Sequence, residues 1–203
     1  MVTFVSYYRR EILSTNKTIR RNFLKGVAGA GFIASTPEFA FAAKEKPPEK
    51  KRPQEGDFLA FQKGEKKGEI IREEHVPMEG PVVMAFPMDP ETGIIRKKSR
   101  LNQVLILRVE PSSLSEETQV NAVNGIVAYS SVCSHQGCVI NTWNKEKQQI
   151  LCMCHGSGFD ARNEGKALNG PAVRRLAGLP LTTQDGVLVV REKFNGRVGA
   201  KKK

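Results

Sequence analysis

The feature that most constrains this chain is where its cysteines and histidines lie. Four cysteines and three histidines occur in 203 residues. All four cysteines and two of the histidines fall between Cys133 and His155. They form two short segments, Cys133-Ser134-His135-Gln136-Gly137-Cys138 and Cys152-Met153-Cys154-His155-Gly156-Ser157-Gly158-Phe159. Each offers one Cys and one His in nearly adjacent places. Two facing loops would therefore present two thiolates and two imidazoles to one site.

Simpler readings compete. A structural zinc site also uses two Cys and two His, but it favours a pair of closely spaced cysteines followed by a pair of histidines. The Cys-x-His pairing departs from that and leaves Cys138 and Cys154 without a role. Plain disulfides suit an exported domain but give the histidines nothing to do. A c-type haem needs Cys-x-x-Cys-His. Only Met153 stands between Cys152 and Cys154, which excludes it.

The N-terminus reads as an address. Thr18-Ile19-Arg20-Arg21-Asn22-Phe23-Leu24-Lys25 is similar to a twin-arginine (Tat) export signal, with Ile19 where Ser or Thr is commoner. A mostly apolar run follows from Gly26 to Ser35, and Ala40-Phe41-Ala42 offers small residues for cleavage. Gly26 to Ala43, interrupted by Pro37 and Glu38, falls just short of the ~20 apolar residues a spanning helix needs. The expectation is a Tat-type signal or membrane anchor over 1–43, with the remainder on the periplasmic side and associated with the membrane.

The net charge of +11 includes that N-terminal segment. Residues 1–43 carry six Lys/Arg and two Asp/Glu, a surplus of +4, leaving +7 (11 − 4) for the rest. Much of that lies in Lys44 to Arg52 and Lys201 to Lys203, which read as solvated tails. No stretch interleaves aromatics with Lys/Arg as single-strand binders do, so no nucleic-acid partner is expected. Residues 44–56, rich in Lys, Glu and Pro, read as a flexible linker. Residues 57–195 read as the folded domain and 196–203 as a basic tail.

Within that domain, short runs dominated by Val, Ile and Leu alternate with Gly, Pro, Asp and Asn. They predict strands at 57–61, 69–71, 82–86, 103–109, 125–131, 139–143, 149–153, 179–182 and 187–191. Asp185-Gly186 predicts a hairpin turn. Only Ser112 to Ala122 looks helical. The pattern predicts an all-β sandwich or barrel-like domain. Met88 to Asn102, with Arg96-Lys97-Lys98, reads as a solvated loop, or more sharply as a docking surface for an acidic partner. His75 reads as a surface residue.

The two Cys/His segments resemble the cluster-binding loops of Rieske iron–sulfur proteins, the class found in cytochrome bc complexes. The resemblance covers about Val104 to Glu192. It implies a Rieske-type antiparallel β-sandwich with a cluster-binding subdomain and one [2Fe–2S] cluster. Cys133 and Cys152 would hold one iron, and His135 and His155 the other. Cys138 and Cys154 would form a disulfide tying the loops, which suits an oxidising compartment and is missing from cytoplasmic Rieske ferredoxins. Gly170-Pro171-Ala172 is similar to the proline loop that covers the cluster, with Val173 where the family often has a second Pro. Ser157 matches the serine that donates to a bridging sulfide, and backbone amides near Gly137 and Gly156 add further donors.

The resemblance implies a one-electron carrier. Replacing two thiolates by neutral imidazoles removes negative charge and raises the potential, within about −150 to +300 mV for Rieske centres. Donors to sulfur stabilise the more negative reduced state and raise it further. Phe159 stands where high-potential members carry a Tyr whose hydroxyl donates to a cysteine sulfur, so a lower potential is expected here. His135 and His155 are candidates to accept a proton as an electron leaves a hydroquinone. The leading expectation is the iron–sulfur subunit of a quinol–cytochrome c oxidoreductase, with quinol and a cytochrome b or c as partners. The alternative is a small Rieske subunit of another exported oxidoreductase, such as an arsenite-oxidase-like molybdenum enzyme, acting as a relay.

Overall fold

Leu105 and Ile106 are neighbours on one strand, so their side chains point to opposite faces, yet both are fully buried. That double burial organises the fold. The computed structural model describes residues 46–200. Strands β1 (Phe58–Phe61), β2 (Val83–Met88), β3 (Val104–Arg108), β4 (Ile126–Ser130), β9 (Leu181–Gln184) and β10 (Val187–Val190) form one sheet in the order β4-β3-β2-β1-β10-β9. Strands β5 (Thr142–Asn144), β6 (Gln149–Cys152), β7 (Ser157–Asp160) and β8 (Lys166–Asn169) form a second, in sequence order. All of the strand pairings are antiparallel.

The period-two alternation divides the large sheet's residues between two cores. Ala85, Val104, Ile106, Ile126 and Ala128 share one core with Leu59, Leu181, Leu188 and Val190. Met84, Leu105, Leu107, Val127 and Tyr129 share the other with Ile140, Ile150, Phe159 and the thiols of Cys133 and Cys152. The first core joins residues of β4 and β9, the two edges of the sheet, so the sheet curls toward closure. Leu179 N, just before β9, donates to Ala128 O of β4 at 2.8 Å. The outer face of β2, β3 and β4 then carries the four-stranded sheet. Strands buried on both faces read as continuous apolar runs, which is why 103–109 and 125–131 are visible in sequence.

Other expectations are corrected. The helix shrinks to a 3-10 turn at Pro111–Ser113 and a single turn, α1 (Glu116–Gln119), capped by the Ser115 hydroxyl. Ile70 makes only an isolated bridge to Ala60. The expected strand at 139–143 shifts to β5, with Val139 bridging Val132. Strands β7 and β8 were not anticipated, because Ser-Gly-Phe-Asp and Lys-Ala-Leu-Asn carry little β propensity. Asp185 and Gly186, both at positive φ, form the predicted hairpin turn between β9 and β10.

Residues 46–56 are not a free linker. Pro53 is buried, Arg52 Nη1 donates to Leu101 O at 2.7 Å, and Asn102 Nδ2 donates to Lys51 O at 2.6 Å. Composition counts side chains that can be buried and overlooks backbone carbonyls that find donors. Nor is Arg96 part of a solvated or docking loop. It is 4% exposed and grips Asp57 through two bonds of 2.7 and 2.8 Å. His75 is half-buried, its ring 5.4 Å from that of Phe61. The basic tail begins later than expected, since Val198 is buried with Val132 and Ala177. No helix among the described residues is long and apolar enough to cross a membrane. The expected signal or anchor at 1–43 and Lys201–Lys203 lie outside the described residues.

Candidate metal centre

The first loop leaves β4 and returns through the Val132–Val139 bridge, so residues 133–138 form a closed finger. Cys133 N donates to Cys138 O at 2.8 Å, and Gly137 N donates back to Cys133 O at 2.9 Å. The second loop is the β6–β7 hairpin, where Cys152 pairs with Ser157 and Gly156 N donates to Cys152 O at 3.0 Å. Both loops therefore close the same way, from a cysteine carbonyl to the amide four residues on. Each closes on a glycine at positive φ, 78° for Gly137 and 71° for Gly156, a conformation other residues rarely adopt.

A third loop covers the second. A side chain at Gly170 would lie 2.7 Å from both Gly156 O and Ser157 Cα, so only glycine permits the approach. Two residues on, Ala172 N donates to Ser157 Oγ at 3.2 Å. Ser157 is fully buried, and accepting that bond leaves its own proton to give elsewhere. Pro171 and Val173 are exposed. Cys138 and Cys154 are joined as a disulfide, with Cα atoms 6.6 Å apart, stapling the first loop to the second.

The four proposed ligands lie on the first two of these loops, two on each. Cys133 and Cys152 are free thiols, 2% and 1% exposed. His135 is half-buried and His155 exposed, with ring centroids 4.9 Å apart in an edge-to-face arrangement. The sulfurs thus lie inward and the imidazoles outward. His135 Nδ1 is buried without a hydrogen-bond partner. Such an orphan is costly unless it binds a metal, which makes Nδ1 the candidate donor and leaves Nε2 on the opposite edge of the ring. Burial pushes the Cys133 thiol up, the amides of His135 and Gln136 pull it down, and neighbouring Cys152 raises it. A metal resolves that conflict by holding the thiolate.

The alternatives left open by sequence now separate. The disulfide consumes Cys138 and Cys154, leaves Cys133 and Cys152 as free thiols, and gives the histidines no role. One tetrahedral zinc with bonds of ~2.0–2.3 Å needs its four donors within about 4 Å of one another. Among the described residues, the donors gathered within 4.8 Å are the sulfurs of Cys138, Cys152 and Cys154, two of which are already spent on each other. Two thiols inward and two imidazoles outward, with one imidazole nitrogen orphaned, fit a two-iron group held at both ends.

Residues 96–180 match the family model of the Rieske [2Fe-2S] domain. Those residues are a Rieske domain. Such a domain holds one [2Fe–2S] cluster, and Cys133, His135, Cys152 and His155 are the residues that would hold it. The chain is 38% identical over 104 residues to the cytochrome bc1 complex Rieske iron-sulfur subunit of Mycobacterium tuberculosis, a match covering 48% of this chain and 24% of that one. It is 33% identical over 129 residues to a protein of Haloferax mediterranei named as a respiratory nitrate reductase Rieske subunit, covering 63% of this chain and 55% of that one. Among solved structures, the cyanobacterial plasma membrane Rieske protein of Synechocystis shares 25% identity at a TM-score of 0.34, covering 53% of this chain and 84% of that one. The chain thus spans a quarter to about half the length of these two curated relatives.

Within the Rieske domain two readings are refined. The amides of Gly137 and Gly156 are engaged by cysteine carbonyls, and those facing the Cys133 sulfur belong to His135 and Gln136. Phe159 is fully buried in the core that contains Cys133, Cys152 and Ala172, and brings no hydroxyl to it. Sequence reasoning passed over three residues that hold the first loop. Arg100 donates to Gly137 O, Ser134 Oγ donates to Arg174 O at 2.6 Å, and Arg174 Nη2 donates to Ser134 O at 3.3 Å. The one clue to Arg174 was its place two residues after the proline loop.

Proposed function

We propose that the chain is a one-electron carrier, the iron–sulfur subunit of a bc1-type quinol–cytochrome c oxidoreductase. The observation that carries this reading is the polarity of the site, with thiols buried and imidazoles at the surface. A [2Fe–2S] cluster bound there supplies reversible one-electron transfer. The protein supplies the rest. The disulfide and proline loop exclude water from the sulfur side. The exposed His155 ring, and the Nε2 edge of His135, can accept a hydrogen bond and then a proton from a quinol hydroxyl. The names of the mycobacterial and other bc1-complex relatives support the same role.

In this reading a Tat-type signal within 1–43 delivers the folded domain to the periplasmic side of the membrane, where the segment is cleaved or kept as an anchor. N-terminal sequencing of the mature protein tests this, and a start near Ala43 removes the anchor. The second reading is a relay subunit of another exported oxidoreductase. It is favoured by Phe159, which lowers the expected potential, and by the likeness to the Haloferax protein. A redox titration followed by EPR at several pH values separates the two. A high midpoint that falls as pH rises past neutral supports quinol oxidation. A low midpoint, flat across that range, supports the relay.

A further inference from the structure

The segment after the proline loop holds the first cluster loop in an unusual way. Arg174 Nη2 donates to Ser134 O at 3.3 Å and to Gly199 O at 2.6 Å, and its Nη1 to Arg197 O at 3.4 Å. In return Ser134 Oγ donates to the Arg174 carbonyl at 2.6 Å. The C-terminal segment that receives the guanidinium is itself fixed, with Val198 buried against Val132 and Ala177. The half-buried guanidinium is thus held by three carbonyls from two segments.

One of those carbonyls matters for the cluster. Ser134 C=O and His135 N–H belong to the same peptide group. In a trans peptide they point in opposite directions. The oxygen faces Arg174, and the N–H faces the Cys133 sulfur. A charged donor on the oxygen of an amide withdraws electron density and makes its N–H a stronger donor, the cooperative strengthening seen along hydrogen-bonded chains. A stronger donor to a cysteine sulfur stabilises the more negative, reduced form of the cluster.

We propose that Arg174 is a positioning residue that raises the reduction potential by polarising the Ser134–His135 peptide toward the Cys133 sulfur. The proposal rests on Cys133 being a cluster ligand. Its effect passes through a bonded peptide rather than through solvent, so added salt leaves it in place, whereas salt screens the field of an exposed charge.

The test uses the full-length, cluster-loaded protein and its Arg174→Ala, Arg174→Lys and Arg175→Ala variants. Midpoints are read by EPR-monitored titration at low and high ionic strength. Arg175 is the internal control, since it carries the same charge one residue away but is bonded to Glu164 and to Asn195 O. Expected is a midpoint lowered in Arg174→Ala at both ionic strengths, partly restored in Arg174→Lys, and unmoved in Arg175→Ala. An unmoved midpoint in Arg174→Ala with the Rieske-type signal intact overturns the proposal, as does an equal fall in Arg175→Ala or a shift abolished by salt. Absence of a Rieske-type signal from the unmodified protein would instead defeat the cluster reading itself.

Discussion

The two sheets solve the problem of stability differently. In the six-stranded sheet, β3 and β4 bury residues on both faces, and Leu59, Leu105, Leu107, Ile106, Ile126, Leu181 and Leu188 are almost fully removed from water. Each such side chain contributes roughly 1.5–3 kcal/mol of burial. The four-stranded sheet has strands of three or four residues, and β5 and β8 have no fully buried residue. Its loops are held by a disulfide, two glycine-closed turns and side-chain bonds to carbonyls. The lesson is a division of labour. Apolar burial makes the platform, and short polar and covalent restraints hold the two Cys/His loops, with the thiols buried and the imidazoles toward the surface.

The largest test of that division is Cys133→Ser. Loss of one thiolate is expected to abolish the Rieske-type EPR signal entirely, while far-UV circular dichroism keeps its β signature. Collapse of the β signature would mean the platform depends on the cluster. Asp57→Asn strikes the platform instead. It breaks the buried pair with Arg96, and removing one partner of such a pair costs about 3–5 kcal/mol. A chemical-denaturation midpoint should fall sharply, with an unchanged EPR line shape in the protein that remains folded.

Replacing Cys138 and Cys154 together by Ser removes the staple of the small sheet. The expected loss is about 2–4 kcal/mol, read as faster cluster loss on heating. A variant that keeps its cluster as long as the parent would show that the turns alone hold the loops. Phe159→Tyr leaves both sheets in place and adds a donor in the core shared by the ligand sulfurs. The midpoint should rise, and a fall or no change refutes the role assigned to that position.

The smallest effect concerns pH and belongs to the platform. Bonds from Asn124 hold the Glu73 carboxyl below the usual carboxylate range. Partial burial opposes this, and Thr183 and Arg108 add to it. A folded-state value below the unfolded one means that its stabilisation is present above the unfolded pKa and lost as pH falls below about 4. Thermal midpoints of the parent should therefore drop more than those of Glu73→Gln between pH 6 and pH 3 (roughly the window where carboxylates titrate). Parallel drops would remove Glu73 from the acid response.

Arg96 shows where sequence reading stops. Arg96-Lys97-Lys98 is a charge run in any linear scan, yet the first member is buried on Asp57 and the next two are exposed. Strand β7 shows the same limit. Ser-Gly-Phe-Asp becomes a strand because Gly158 lets Gln149 and Asn169 close in, to within 2.5 and 2.8 Å of where a side chain would begin. That is a property of the neighbours, not of the four residues.

By itself, the sequence determined the chemistry and the platform. Two Cys/His segments offered a candidate donor set, because ligand type and spacing are local, and runs dominated by Val, Ile and Leu predicted strands without showing which would be buried on both faces. Tertiary structure alone decided which way the donors face and what holds them. The inward thiols, the strap at 46–56 and the grip of Arg174 on Ser134 all join residues distant in the chain. Their energies come from partners that no local pattern names, since a hydrogen bond or ion pair exists only once folding has brought both groups together.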